Sequence, residues 1–157
     1  MKGQLGAIMS RHALSGCLQW IGLRSERRAE ITVVEHVEIR EDGLEGDHGR
    51  AGKRAVTLIQ QEHLSVISQL TGHVDVKPGQ LRRNLLVSGI NLYALRKSRL
   101  RVGQAIVQIV GPCPPCSRME EELGHGGYNA MRGHGGWYAS VITPGSANVG
   151  DPVQPDF

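Results

Sequence analysis

Hydrophobic and polar positions along this chain change period several times, and each change marks an element. Residues 4–9 and 18–23 are short apolar-rich runs that read as strands. Between residues 29 and 40, Ile31, Val33, Val37 and Ile39 alternate with Thr32, Glu38 and Arg40, the period of a long strand with one buried face. Glu35 falls in phase with the apolar set, which a strand end, a bulge or a barrel rim would explain. Residues 55–59 read as a short buried strand. Leu64, Ile67 and Leu70, with Val66 beside them, then fall at helical spacing, and Gly72 is placed to end that helix.

Further on, Pro78 starts a helical turn over 78–83, and 84–89 reads as a strand. Residues 92–102 are mixed and hairpin-like, closed by Gly103. A strand at 105–110 enters the segment Gly111-Pro112-Cys113-Pro114-Pro115-Cys116, and a helix over 117–123 leaves it. Residues 124–136 are glycine-rich. Strands at 137–143 and 147–153, joined by a turn at Pro144-Gly145-Ser146, finish the chain. Many short strands, with few helices between them, predict a mainly β fold: a β-barrel with a few peripheral helices.

Composition narrows the class. A length of 157 residues suits a single domain able to bury its own core. The net charge of +3 is too small to argue for nucleic acid, though it would serve a small anion. No apolar run is long enough to span a membrane, and the first residues carry no secretory core. Three cysteines, an odd number, do not make a disulfide framework, so a cytoplasmic protein with reduced thiols is expected.

The chemistry concentrates where strand meets helix. Cys113 and Cys116 sit among three prolines that fix φ and stiffen the loop. Ser117 and Glu120 have capping-box spacing, which would start a helix just after Cys116 and favour a thiolate there. The residues leave three chemistries open. Cys116 could be a thiolate ligand or sulfur acceptor. Cys113 and Cys116 could be a dithiol pair. Cys113, Cys116, His125 and His134 could bind zinc, although the histidines lie far along for a compact site.

Two other segments suit an anion. Residues 43–54 combine four glycines with Arg50, Lys53 and Arg54, and also carry Asp47 and His48 as candidate acid–base groups. The ending of a Walker loop is absent. Arg82, Arg83 and Asn84 precede an apolar strand, and an extended chain would let only one of the two arginines face inward. Arg132 and His134 lie among glycines.

Taken in order, Gly43-Leu44-Glu45-Gly46-Asp47, residues 54–59, Arg82-Arg83-Asn84 with the strand that follows, Pro115-Cys116-Ser117-Arg118 and Val149-Gly150-Asp151 resemble the MOSC domain, the molybdenum cofactor sulfurase C-terminal domain. The resemblance runs across nearly the whole chain and is closest to small stand-alone members. It implies a β-barrel and a molybdopterin-type cofactor, or sulfur destined for it, with Cys116 as metal ligand or persulfide carrier. It implies no pyridoxal phosphate, because no second domain is present to hold it. A sulfur donor or an electron-donor reductase would be the partner, and N-hydroxylated compounds the small-molecule substrates of an enzymatic member. Arg50, Lys53, Arg54, Arg82, Arg83 and Asn84, with Arg132 and His134, are the candidate contacts to the cofactor. The competing readings are a thiol–disulfide protein using Cys113 and Cys116, and a non-catalytic binding module.

Overall fold

Strand β1 (Gly16–Arg24) organises the molecule because both of its edges are paired and one edge serves two partners in succession. The computed structural model describes residues 3–26, 29–49, 52–73 and 75–156. The remaining strands are β2 (Ile31–Val34), β3 (His36–Arg40), β4 (Gly43–Leu44), β5 (Val56–Gln60), β6 (Leu85–Ser88), β7 (Arg99–Val102), β8 (Ala105–Pro112), β9 (Trp137–Thr143), β10 (Gly145–Asn148) and β11 (Pro152–Pro155). Seven of them close in the order β1-β11-β7-β8-β9-β5-β6 and back to β1. Closure removes the free edges that an open sheet would leave for aggregation. Near its start β1 pairs with β11, Gly16 opposite Val153, while from Ile21 to Arg24 it pairs with β2. β3, β4 and β10 form a separate small sheet. Its Val37, Ile39, Leu44 and Ala147 join the barrel core.

The helices are α1 (Gln4–Met9), α2 (Glu62–Thr71), α3 (Pro78–Leu81), α4 (Ser117–Leu123) and α5 (Gly127–Met131). β5 and β6 run parallel, and β5 is buried along its whole length. A strand covered on both faces is expected to be continuously apolar. Val56, Leu58, Leu85 and Val87 face the barrel interior. Ile59 and Leu86 point outward, into a second cluster made with Ile67, Leu81, Met119, Leu123 and Met131 from the helices. Each fully buried Leu or Ile contributes about 2 kcal/mol. This second cluster fixes α3 and α4, and so the segment that carries Cys116, against the barrel wall.

Four expectations are corrected. Residues 4–9 form helix α1: they have no strand partner and bury nothing, and Leu5, Ala7 and Met9 are good helix formers. The long strand over 29–40 breaks at the exposed Glu35, where the chain leaves the barrel sheet for the small one and the Glu35 carbonyl accepts the Val149 N–H. The strand over 147–153 is two strands, β10 and β11, divided by a turn that includes Gly150 at φ +98°. The Ser117–Glu120 capping box does not form. Cys116, not Ser117, is the N-cap of α4, and the Glu120 carboxylate instead accepts the N–H groups of Gly126 and Tyr128 at 2.9 and 3.0 Å. Those two bonds hold the Glu120 carboxyl below the ordinary carboxylate range.

Gly136 is the tightest joint between barrel and site. Its φ is +88°, and a Cβ there would lie 2.1 Å from the Leu58 carbonyl oxygen. Its own carbonyl accepts the Cys113 N–H at 2.8 Å. Gly136→Ala is expected to cost about 3 kcal/mol or more in urea unfolding. Gly133, also at positive φ but with open space around it, should lose only about 1 kcal/mol on the same change. Equal losses at the two positions would show that close approach to β5 is not the constraint.

Candidate functional site

Four segments converge on one cleft of about 280 Å³. The end of β1 supplies Arg24, with Glu26 just beyond it; the glycine-rich loop supplies His48; the α3–β6 junction supplies Arg82 and Arg83; and the start of α4 supplies Cys116, Ser117, Arg118 and Met119. Among the described residues, four arginines and one glutamate thus line the cleft around an exposed thiol.

Local structure explains the convergence. The Asp47 carboxylate accepts the Arg24 backbone N–H at 2.7 Å, and the His48 N–H donates to the Arg24 carbonyl. These two bonds fasten the glycine-rich loop to the end of β1. The Asp47 side chain is buried, lies 3.8 Å from Arg24 Nε, and holds the loop in place without lining the cleft. Arg82 follows α3 in the left-handed conformation, φ +58°. That reversal breaks the strict alternation of an extended chain, so both arginines of the pair face the cleft, contrary to expectation. Arg82 Nη2 donates to the Ala29 carbonyl at 2.6 Å. Burial, then the guanidinium groups of Arg118 and Arg24, push the Arg82 pKa down, against the opposite pull of Glu122 and Cys116.

Arg83 is buried, at 7% exposure. Its Nε donates to the Gly135 carbonyl at 2.7 Å, Nη1 to Leu81 at 3.1 Å and Nη2 to Pro114 at 3.4 Å. It therefore gives the cleft a charge but few free donors. Arg24 and Arg118 are the reverse case. The Nε of each is buried and has no hydrogen-bond partner among the described residues. The Glu122 carboxylate lies 3.7 Å from Arg118 Nε, too far to accept a hydrogen bond. An unpaired buried donor carries a desolvation cost that an anion would relieve.

Several candidate residues lie elsewhere. The Asn84 side chain is consumed inside the barrel wall: its Oδ1 accepts from Thr57 N and Oγ1, and its Nδ2 donates to the Gly22 carbonyl. It ties β1 and β5 together and is buried away from the cleft. Arg54 stacks over the Tyr138 ring at 4.6 Å, and Lys53 is exposed outside the cleft. Arg132 is exposed and reaches toward Asn129. His134 packs edge-on against His63, ring centroids 5.3 Å apart. Arg50 lies outside the described residues. Among the described residues no three His, Cys, Asp or Glu side chains converge as a metal site, so Cys113, Cys116, His125 and His134 do not form one.

The two cysteines are separated in role. Cys116 opens on the cleft, whereas Cys113 is buried beside Tyr138. Burial, then that neighbouring thiol, push the Tyr138 hydroxyl pKa up. Residues 113–116 run without turn or bend, and Cys116 is extended at φ −114°, ψ 170°. An extended Pro-Pro segment rises roughly 9 Å over three residues. Disulfide geometry needs Cα atoms within about 7 Å. A segment extended in that way would hold the two cysteines beyond disulfide reach, and both are free thiols. Arg24 and Arg118 were not among the residues singled out for the site. Arg118 had a local signal, being two residues from Cys116, but Arg24 had none, because only the fold brings a strand end to a loop some twenty residues away.

Comparison with known proteins now adds family and fold. The family model for the MOSC domain matches residues 45–154. No curated protein matches the chain. Among solved structures it is similar to the YUAD protein from Bacillus subtilis, at 17% identity and TM-score 0.77, covering 89% of this chain and 94% of that one. It is also similar to YiiM from Escherichia coli, at 22% identity and TM-score 0.71, covering 90% of this chain and 70% of that one. YiiM from Geobacillus stearothermophilus follows at 20% identity and TM-score 0.68, with 93% and 75% covered.

Arg83→Met tests how the cysteine loop is held. The change strands three carbonyls and is expected to cost about 3 kcal/mol of stability. In the native wild type, peptide-resolved alkylation should label Cys116 well before Cys113. In the variant Cys113 should label with it. A Cys113 that stays slow would mean that the loop is held by something other than Arg83.

Proposed function

The chain belongs to the MOSC domain family, and we propose that it handles sulfur for, or binds, a molybdenum cofactor through Cys116. The observation that carries this reading is the cleft itself. A free, exposed thiol opens onto a pocket ringed by Arg24, Arg82, Arg83 and Arg118, two of which have unpartnered buried donors.

The donor chemistry fits both ends of such a cofactor. A thiolate suits a soft metal centre or a sulfane sulfur. Guanidinium groups with free N–H donors suit a phosphate. Cys116 would hold the metal, and Arg24, Arg82 and Arg118 the phosphate. When bound, the cofactor would supply a two-electron redox centre.

The chain's own residues do the rest. Arg82 and Arg118 offset the negative charge that gathers at Cys116 as a ligand approaches. The bonds from Asp47 and His48 to Arg24 set the far wall. Arg83 keeps Cys113 turned away, so one sulfur, not two, meets the ligand. His48, exposed at the cleft, is placed to take or give a proton there. As a carrier the protein needs a sulfur donor and an acceptor. As an enzyme it would reduce N-hydroxylated compounds with electrons from a separate reductase.

The test is production in a host that makes molybdenum cofactor, followed by metal, pterin and persulfide analysis. Molybdenum and pterin, or a sulfane sulfur on Cys116, are expected in the wild type and absent from Cys116→Ser. Reduction of an N-hydroxylated base by a metal-loaded sample and a chemical reductant would select the enzyme over the carrier. A wild type with no molybdenum, pterin or persulfide would overturn the reading.

A further inference from the structure

The charge and size of the Cys116 cleft also suit a small anion, much smaller than a pterin cofactor. We infer that Cys116 takes its sulfur directly from a small dianionic sulfane donor of the thiosulfate type, with Arg24, Arg82 and Arg118 holding the oxyanion end. This rests on the sulfur-carrying reading of Cys116 and adds the chemical class of the donor.

Three observations carry the inference. First, among the described residues the cleft lining sets four guanidinium groups against the carboxylate of Glu26, with Asp47 and Glu122 behind it at 3.8 and 3.7 Å from Arg24 and Arg118. Burial, then the charges of Arg118 and Arg24, lower the Arg82 pKa. Second, the arginines differ in what they have left to give. Arg24 Nε and Arg118 Nε make no hydrogen bond among the described residues, their carboxylate neighbours lying 3.8 and 3.7 Å away, while Arg83 has committed its three nitrogens to carbonyls. Third, a cavity of about 280 Å³ is at the small end for ligand sites and ample for an anion of five heavy atoms. A thiosulfate-type donor has two unlike ends. The three oxygens accept from planar guanidinium forks, and the terminal sulfur is left to face the thiol.

The reaction balances without a further reactant. The Cys116 thiolate attacks the terminal sulfur of thiosulfate. A new S–S bond forms at Sγ, and the old S–S bond breaks. Its electron pair leaves on sulfite, and the terminal sulfur remains on Cys116 as a persulfide. One mononegative and one dinegative reactant become one mononegative and one dinegative product. The arginines therefore stabilise a total charge that gathers in the cleft and does not change during the step. A nucleophilic acceptor then removes the outer sulfur and restores the thiolate.

The experiment uses the full chain with thiosulfate as donor and cyanide as acceptor, reading thiocyanate formation. In parallel, intact-mass and peptide analysis follow the gain of one sulfur atom on Cys116. The comparison donor is an uncharged dialkyl trisulfide. Wild type should form thiocyanate and carry the sulfur on Cys116, and Cys116→Ser should do neither. Arg24→Gln and Arg118→Gln should each lower kcat/KM for thiosulfate roughly ten- to a hundredfold, and change transfer from the trisulfide less than about twofold. Glu26→Gln should raise the thiosulfate rate roughly two- to fivefold. Loading by the trisulfide but not by thiosulfate would overturn the anionic-donor inference and leave the carrier reading standing. Loading by neither would sink the carrier reading as well. Equal losses with both donors in the arginine variants would make those residues structural and end the inference.

Discussion

A buried guanidinium without a carboxylate partner holds the site together. Arg83 spends its hydrogen bonds on the carbonyls of Leu81, Pro114 and Gly135. It thereby joins the end of α3, the cysteine loop and the glycine-rich segment before β9. Taking a cation out of water is costly, and carbonyl dipoles offset that cost only if several point at it together. A lysine could not do this, because its ammonium lacks the planar fork that reaches three carbonyls in different directions. Without that junction the cysteine loop would be held to the barrel only by the Cys113–Gly136 hydrogen bond and by α4.

Three consecutive residues do three different jobs here, which only a backbone reversal allows. Arg82, at φ +58°, turns its side chain to the cleft and to the Ala29 carbonyl. Arg83 turns into the loop junction. Asn84 enters the barrel wall and satisfies Thr57 and Gly22. A non-glycine residue in the left-handed region costs about 1 kcal/mol or more. The hydrogen bonds of the next two residues offset that strain, so the site's conformation is supported by the same contacts that close β1, β5 and β6.

The fold was legible in the sequence wherever period and burial agree. The helix over 117–123 and the strand over 137–143 match α4 and β9, because α4 buries Met119 and Leu123 one turn apart and β9 packs Trp137, Ala139 and Val141, alternate residues, on the core. Residues 4–9 misled because a six-residue apolar run has no decisive period, and nothing in the folded chain buries it. The 29–40 segment misled because its alternation is real on both sides of Glu35, yet the two halves belong to different sheets. Of the site, Cys116 and the two arginines at 82 and 83 were legible from the loop and its cations. Asn84 was not, since a polar residue before a strand looks the same whether it faces a ligand or the barrel wall. Arg24 was not either, because its place depends on Asp47 and His48 fastening a distant loop.

The remaining question is why a fold would keep like charges together. Self-repulsion among Arg24, Arg82 and Arg118 works against the compact state, and burial adds to it at Arg82. Elsewhere on the molecule arginines pair closely with carboxylates, Arg40 with Glu45 at 3.2 Å and Arg101 with Asp156 at 3.0 Å. At the cleft the ion pairs of Arg24 with Asp47 and of Arg118 with Glu122 are looser, at 3.8 and 3.7 Å, and leave the Nε of each arginine without a hydrogen bond. The arginines surround an exposed thiol. An anion entering the cleft relieves the repulsion and satisfies the donors in the same act, so its binding free energy adds to the stability of the folded state. The like charges and the exposed thiol share one cavity, and that coincidence is what the proposed chemistry of Cys116 rests on.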